Sequence, residues 1–297
     1  MCATKLAVLL SEATSVLSRV GVVTPMLDAR LIAGHVLGLS ELEVLTGRDL
    51  VVSSEKAKEF FQVIAKRLAG VPISHITCKR EFWSLDFTVS PDVLDPRQDT
   101  ETIISTAIKL CSNRARRINI ADLGTGSGCI IIALMSYYKN AVGAAFEKST
   151  KAYRVAYKNL VRHNMMRRVK LRNAGWECCV GKFDLIVSNP PYIKRSKIPG
   201  LQPEVRLHEP MLALDGGISG MEKYLQIFRV LRRCLKSDGK AILEIGEDQV
   251  AVRAAAIRGG LCFCGYVNDL AGLPRCVILK KANQRQYCTP RTAVLLK

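Results

Sequence analysis

Residues 4–72 carry apolar side chains at three- and four-residue steps, a spacing that places them on one face of a helix. One series is Leu6, Leu10, Ala13, Leu17 and Val20, and another is Phe60, Val63, Ile64 and Leu68. Gly21, Pro25 and Ser53 interrupt the pattern. We therefore expect three or four short helices, packed as a small bundle in an N-terminal domain over residues 1–74.

The pattern changes between Ile73 and Asp99. Apolar side chains there alternate with polar ones, at Phe82, Leu85, Phe87 and Val89, and turn residues bound the segment. Such alternation is typical of strands. We expect a β-hairpin over residues 75–98 that links the helical bundle to a second domain.

Strand and helix patterns alternate over residues 99–282. The strand-length apolar runs are 118–123, 141–146, 169–171, 183–188 and 241–245, and the helical patterns include 129–138 and 151–164. Continuous apolar strands that alternate with helices are typical of a parallel sheet covered on both faces. The fold class predicted is therefore α/β, with a Rossmann-like sheet, a small N-terminal helical bundle and a linking β-hairpin. The runs 261–267 and 275–280 are expected to form an antiparallel hairpin at one edge, and the basic tail 283–297 to be poorly ordered.

Composition supports a globular protein rather than a membrane-spanning or disulfide-rich one. Hydrophobic residues make up 48% of the 297 residues, but no apolar run approaches the roughly 20 residues that span a bilayer. The 11 cysteines are scattered and do not occur at the paired spacings of a zinc site. We expect reduced thiols, no metal site, no membrane contact and a cytoplasmic location.

The net charge of +18 points to an acidic partner, such as RNA, a ribonucleoprotein or an acidic protein surface. The basic residues are spread along the chain, with short clusters at 114–117, 162–170 and 194–197. A solvated basic surface explains the same charge equally well, so charge alone does not identify a partner.

A glycine-rich segment, Asp122-Leu123-Gly124-Thr125-Gly126-Ser127-Gly128, follows an apolar strand and precedes an apolar helix. Ligands bind at this position in doubly wound sheets. Glycines let the backbone turn sharply and approach a ligand closely. The spacing differs from the Gly-x-Gly-x-x-Gly pattern of pyrophosphate-binding loops.

Two further residues suit an adenosine ligand. Glu147 ends the second strand, where its carboxylate can accept hydrogen bonds from both ribose hydroxyls. Trp176 follows the third strand and is placed to flank the adenine. Together with the loop, these residues favour S-adenosyl-L-methionine as the cofactor over a dinucleotide.

The fourth strand ends at Asn189-Pro190-Pro191-Tyr192. The two prolines hold the chain extended and lack N–H groups, which leaves nearby carbonyls open to a substrate. An NH₂ group on a planar carbon is a poor nucleophile. The Asn189 side-chain oxygen and the Pro190 carbonyl can accept its two hydrogens and orient its nitrogen toward a sulfonium methyl group, while Tyr192 stacks on the planar group. We therefore assign catalysis to Asn189, Pro190 and Tyr192, and substrate binding to 189–192.

These residues resemble those of the peptide chain release factor N5-glutamine methyltransferases. The similarity covers about residues 5–280. Its marks include Pro72-Ile73-Ser74-His75-Ile76, Glu81-Phe82-Trp83, Pro96-Arg97, Thr100-Glu101, the 124–129 loop, Asn189 to Ile193, Glu209-Pro210 and Leu243-Glu244-Ile245-Gly246. The resemblance implies a class I methyltransferase domain at 99–282 and a substrate-recognition domain at 1–74. It also implies adenosylmethionine contacts at Gly124, Thr125, Gly126, Ser127, Gly128, Glu147, Trp176 and Asn189.

The resemblance further implies methyl transfer from S-adenosyl-L-methionine to the glutamine of the Gly-Gly-Gln motif in class-1 peptide chain release factors. The enzyme is expected to act as a monomer and to need no nucleic acid. Four positions depart from the family pattern: Asp95 and Gln98 in the hairpin end, Glu147 in place of aspartate, and Ser219 before Gly220.

Two alternatives stay open on the sequence. An N6-adenine methyltransferase acting on DNA or RNA can use the same Asn-Pro-Pro-Tyr geometry. A degenerate adenosylmethionine-binding protein that acts only as a partner is the other, although an idle site has no physical need for Asn189 and the glycine loop.

Overall fold

A computed structural model describes residues 3–246 and 249–282 of the chain. The chain forms two compact units. The first comprises Met1–Lys79 and Gln202–His208, and the second comprises Arg80–Leu201 and Glu209–Lys297. The basic tail expected at 283–297 lies outside the described residues.

Short helices build the first unit. Its elements up to residue 79 are β1 (Thr4–Lys5), α1 (Leu6–Arg19), α2 (Pro25–Leu37), α3 (Glu41–Thr46), β2 (Val51–Val52), α4 (Ser54–Leu68) and α5 (Ile73–Thr77). A reciprocal hydrogen-bond pair between Ser40 and Glu43 begins α3, and α2 ends at Gly38, where φ is 71°. The predicted helical region is confirmed. The start of the hairpin, expected at residue 75, was wrong, because α5 continues to Thr77 and the first hairpin strand begins at Lys79.

The core of this unit combines aliphatic packing with a buried ion pair. Leu6, Leu17 and Ile32 are fully buried in its centre. Arg67 of α4 lies 2.7 Å from Asp28 of α2, and both side chains are almost completely buried. Arg67 also contacts Glu204 at 2.6 Å. The returning segment 202–208 thus supplies the second anion to this charge.

The second unit contains the remaining elements. They are β3 (Lys79–Phe82), β4 (Leu85–Thr88), α6 (Glu101–Leu110), β5 (Asn119–Leu123), α7 (Cys129–Tyr137), β6 (Val142–Glu147), α8 (Thr150–Arg162), β7 (Val169–Asn173) and β8 (Phe183–Ser188). After α9 (Pro203–His208), which belongs to the first unit, come α10 (Met211–Leu214), α11 (Glu222–Cys234), β9 (Leu235–Glu244), α12 (Gln249–Arg258), β10 (Leu261–Asn268) and β11 (Pro274–Lys281).

Seven strands form one sheet in the order β10-β11-β9-β8-β5-β6-β7. Strands β5, β6, β7, β8 and β9 run parallel to one another, and β11 runs antiparallel to β9 and β10. The mostly parallel sheet and its edge hairpin are confirmed. Because the strand order changes direction between β5 and β8, a crevice opens at the carboxyl ends of these two strands.

Asn159 of α8 fastens three segments around this crevice. Its side chain is fully buried. Its Oδ1 accepts from the Thr88 N–H at 2.8 Å, and its Nδ2 donates to the Thr88 and Ser127 carbonyls at 2.8 Å each. One side chain thus holds the hairpin strand β4 and the glycine loop to the same helix.

Candidate active site

A cavity lies at the carboxyl ends of β5, β6 and β8, and its volume is about 1160 Å³ when the open space at its mouth is included. Eight of the residues singled out from the sequence line it: Gly124, Thr125, Gly126, Ser127, Glu147, Trp176, Asn189 and Pro191. The fold therefore brings the glycine loop, the acidic residue and the Asn-Pro-Pro segment to one place.

Positive φ angles shape the glycine loop. They are 75° at Gly124, 57° at Gly126 and 83° at Gly128, values that disfavour a Cβ. A Cβ on Gly124 would also approach the Trp176 ring to 3.4 Å. The loop backbone can therefore form a cradle for a ligand, in space that side chains at these positions would otherwise occupy.

A buried carboxylate stabilises the glycine loop through a hydrogen bond. Asp122 is fully buried and accepts a hydrogen bond from the Thr125 hydroxyl at 2.6 Å. Burial raises the pKa of Asp122 to about 7, against the opposing effect of that hydrogen bond. The loop residue Gly128 does not line the cavity, but it begins helix α7.

Glu147 links the end of β6 to the loop. Its two carboxylate oxygens accept hydrogen bonds from the backbone N–H groups of Gly126 at 2.9 Å and Ser149 at 2.8 Å. Burial raises the pKa of Glu147, and these hydrogen bonds oppose the rise. The glutamate side chain thus reaches back to the loop backbone.

Residues of the Asn-Pro-Pro-Tyr segment border two different cavities. Asn189 and Pro191 line the cavity, Pro190 is buried, and Tyr192 borders a second cavity with Lys194 and Arg275. Within the described residues no hydrogen bond engages the Pro190 carbonyl oxygen or Oδ1 of Asn189. Neither of the two acceptors that the sequence assigned to a substrate nitrogen is therefore occupied by a protein donor from these residues, and of the two only Asn189 Oδ1 belongs to a residue that lines the cavity.

Behind Asn189 stands a chain of buried polar groups. Asn189 Nδ2 donates to the Thr100 hydroxyl at 3.2 Å, and that hydroxyl donates to Glu244 Oε2 at 2.7 Å. The Tyr192 hydroxyl donates to Glu244 Oε1 at 3.2 Å. Burial raises the pKa of Glu244 to about 7. Tyr192 therefore makes its polar contact away from the cavity that Asn189 lines.

Two family models match the chain. The PrmC N-terminal domain matches residues 9–77, and the methyltransferase small domain matches residues 100–201. The chain is 40% identical to the release factor glutamine methyltransferase of Rhodospirillum rubrum, over 88% of this chain and 80% of that protein. The protein of the same name from Agrobacterium fabrum is 36% identical, over 89% of this chain and 93% of that protein.

The chain belongs to the release factor glutamine methyltransferase family. This family membership confirms the resemblance drawn from the sequence and makes the protein a methyltransferase. Among solved structures, the hMettl16 catalytic domain in complex with the MAT2A 3'UTR hairpin 6 aligns with a TM-score of 0.52 at 16% identity, covering 84% of this chain and 88% of that chain. That likeness concerns the fold alone.

The family departures at Asp95 and Ser219 have local partners. Asp95 is buried, and its carboxylate lies 3.7 Å from the Arg80 guanidinium. The N–H group and the hydroxyl of Ser219 both donate hydrogen bonds to the carboxylate of Glu222 at the start of α11. Gln98 opens a short 3₁₀ turn that leads into α6. None of the three replaces a residue of the Asn-Pro-Pro-Tyr segment in this member of the methyltransferase family.

An ion pair also fixes part of the cavity lining. Arg97 lines the cavity and pairs with the buried side chain of Glu209. Burial raises the pKa of Glu209, and the Arg97 guanidinium opposes the rise. Pro210, next in the chain, lines the cavity as well. In this methyltransferase the segment after α9 is thus tied to the residues that follow the hairpin.

Sequence patterns missed part of the lining. Thr100 carried the family resemblance but no assigned role, and Lys223 and Gln226 of α11 were not singled out. Glu244, which lies behind Thr100, also had no assigned role. Their positions depend on which helices pass the crevice, which no local pattern reports. Across residues 3–246 and 249–282, no helix is long and apolar enough to cross a membrane, and no group of acidic, histidine and cysteine side chains could hold a metal ion.

Proposed function

We propose that this enzyme transfers a methyl group from S-adenosyl-L-methionine to the side-chain amide nitrogen of the glutamine in the Gly-Gly-Gln motif of peptide chain release factors. The observation that carries the proposal is the position of Asn189. It lines the same cavity as the glycine loop, and its Oδ1 has no hydrogen-bond donor within the described residues. The names of the relatives support the choice of acceptor.

The cavity residues fit the cofactor. The glycine loop provides a cradle that a Cβ at Gly124 would narrow against Trp176. The carboxylate of Glu147 accepts backbone N–H groups at both oxygens and has lone pairs left that can accept ribose hydroxyls. Trp176 offers a ring face or edge to the adenine. When bound, S-adenosyl-L-methionine supplies an electrophilic methyl group on a positively charged sulfur.

Amide chemistry explains why two acceptors are needed. The lone pair of an amide nitrogen is delocalised, so the nitrogen attacks only when its geometry is fixed and its developing positive charge is stabilised. Asn189 Oδ1 and the Pro190 carbonyl can each accept one of its hydrogens. The methylated nitrogen then releases a proton to water, because a protonated amide is a strong acid. A dedicated strong base is therefore unnecessary.

The test is transfer of labelled methyl from S-adenosyl-L-methionine to a purified release factor that carries Gly-Gly-Gln. Parallel reactions contain a release factor with that glutamine substituted, duplex DNA, and ribosomal RNA. The enzyme variants are Asn189→Ala and, as a matched control, Asn140→Ala, which removes an exposed asparagine with one hydrogen bond to the Ala115 carbonyl. Calorimetric titration with S-adenosyl-L-methionine accompanies each variant.

We expect label on the intact release factor only, with a loss of about 100-fold or more in rate for Asn189→Ala and none for Asn140→Ala. Label confined to nucleic acid would replace the proposal by adenine N6-methylation. Cofactor binding without label on any acceptor would instead indicate an inactive adenosylmethionine-binding partner.

A further inference from the structure

We propose that Thr100 and Glu244 are positioning residues that fix the orientation of the Asn189 carboxamide, so that its oxygen rather than its nitrogen faces the cavity. The inference rests on the proposed function for the reaction it serves. The three side chains come from different elements: the end of β8, the 3₁₀ turn before α6, and the last residue of β9.

The need for such a device follows from the shape of an asparagine side chain. Its oxygen and nitrogen ends are nearly identical in size, so packing alone does not distinguish them. Turned by 180°, Asn189 would point N–H groups at a substrate nitrogen that itself carries hydrogens. The acceptor would become a donor, and the substrate amide would lose one of its two partners.

The direction of the hydrogen bonds resolves this ambiguity. An ionised Glu244 can only accept, so the Thr100 hydroxyl gives it its single proton at 2.7 Å. The Thr100 oxygen can then only accept from Asn189, which must present Nδ2, at 3.2 Å. A reversed carboxamide would place two oxygens together with no proton between them.

Burial makes the arrangement selective. Thr100 and Glu244 are each only 2% exposed, so water cannot readily replace a lost partner. The Tyr192 hydroxyl donates to the other oxygen of Glu244 at 3.2 Å. The Tyr224 hydroxyl donates to the Glu244 backbone carbonyl at 2.9 Å. The carboxylate at the end of the chain is therefore held on both sides.

The device depends on the charge of Glu244. Burial raises the pKa of this carboxyl to about 7, while Thr100, Arg275 and Tyr192 favour its ionised form and Asp99 disfavours it. The other titratable groups that interact electrostatically with it are Tyr224 of α11, Cys129 of α7 and Cys276 of β11. Once protonated, Glu244 can donate to Thr100, and the direction of the chain is no longer fixed. Activity should therefore fall as the pH decreases through about 7.

The test compares Thr100→Val, which keeps the shape and removes the hydroxyl, with Thr100→Ser, which restores it. Thr106→Val is the matched control: Thr106 lies on α6, is 2% exposed, and its hydroxyl has no hydrogen-bond partner within the described residues. We expect Thr100→Val to lower kcat by ~10- to 100-fold with less than a ~3-fold change in S-adenosyl-L-methionine affinity. Thr100→Ser should recover most of the rate, and Thr106→Val should leave it unchanged.

The pH profile tests Glu244 separately. Wild-type kcat should be about tenfold lower at pH 6 than on its alkaline plateau, as expected for a group with a pKa of about 7. Glu244→Gln should remove this fall in kcat on the acidic side of the profile. Asp122, whose pKa is also about 7, remains in that variant. If kcat of Glu244→Gln still decreases toward pH 6, the titration belongs to another group, and the role of Glu244 is overturned.

A readout without turnover separates this inference from the proposed function. The side-chain amide protons of Asn189, assigned in ¹⁵N spectra by their loss in Asn189→Ala, should exchange slowly in the wild type and at least ~10-fold faster in Thr100→Val but not in Thr106→Val. Equal exchange in both threonine variants would overturn the inference even in an active enzyme. Slow exchange lost with Thr100 supports it whichever acceptor is methylated.

Discussion

Asn159 is buried, and its side chain should contribute more to the free energy of unfolding than an exposed asparagine does. Replacing it with alanine removes three 2.8 Å hydrogen bonds and leaves the Thr88 N–H, the Thr88 carbonyl and the Ser127 carbonyl without this partner. A buried polar group that loses its partner costs about 1–3 kcal/mol. With partial relaxation of the three groups, we expect Asn159→Ala to lower the free energy of unfolding by about 3–5 kcal/mol.

Urea denaturation followed by circular dichroism measures this loss, and the thermal midpoint should fall by roughly 10 °C for a unit of this size. Asn159→Asp tests the hydrogen-bond direction. It keeps the volume but sets a carboxylate oxygen against the Thr88 and Ser127 carbonyls, so we expect a loss at least as large. Because Ser127 lines the cavity, both variants should also bind S-adenosyl-L-methionine more weakly.

Asn140→Ala is the matched control, since this exposed side chain makes a single hydrogen bond to the Ala115 carbonyl. We expect a change of less than about 1 kcal/mol. If Asn159→Ala also stayed within about 1 kcal/mol of the wild type, the assignment of Asn159 as the fastener of the hairpin strand and the glycine loop would be refuted.

Three further perturbations test other parts of the structure. Gly124→Ala should weaken S-adenosyl-L-methionine binding by ~10-fold or more in calorimetry, whereas Gly272→Ala, at a similar φ of 82° with open space around it, should cost about 1 kcal/mol of stability and leave binding intact. Glu147→Gln should lower cofactor affinity about tenfold, since an amide NH₂ faces one of the two backbone N–H donors; unchanged affinity would exclude the ribose role. Asp28→Ala should destabilise the first unit by about 3–5 kcal/mol in urea denaturation, and adding Arg67→Met should recover part of the loss, because the buried charge then disappears with its partner.

The sheet could be predicted because its strands are signalled locally. Val142–Glu147 and Phe183–Ser188 are apolar runs followed by polar or glycine residues, and they appear close to the predicted positions. The glycine loop was equally legible, since only a ligand cradle or a tight turn needs three such residues. The hairpin was expected to begin at residue 75, inside α5, because a five-residue helix is too short for periodicity to distinguish it from a strand.

The buried hydrogen bonds that support the site could not be predicted from sequence patterns in the same way. Thr100, Glu244 and Asn159 are polar residues within otherwise ordinary segments, and their hydrogen-bond partners lie 32–144 positions away. Glu244 ends an apolar strand, where a charge normally marks the return to solvent. Its burial depends on the helices that cover that strand end. Hydrogen-bond partners this distant follow from the topology, not from the spacing of residue types.

The return of residues 202–208 to the first unit has a consequence for dissecting this protein. The N-terminal unit is discontinuous in sequence, and Glu204 completes the pairing of Arg67 from a position 137 residues later. A fragment that stops at Lys79 would keep every N-terminal helix yet leave Arg67 with one carboxylate instead of two. Exchanging this unit between homologues therefore requires moving two pieces of chain together, and recombination at a single junction would separate them.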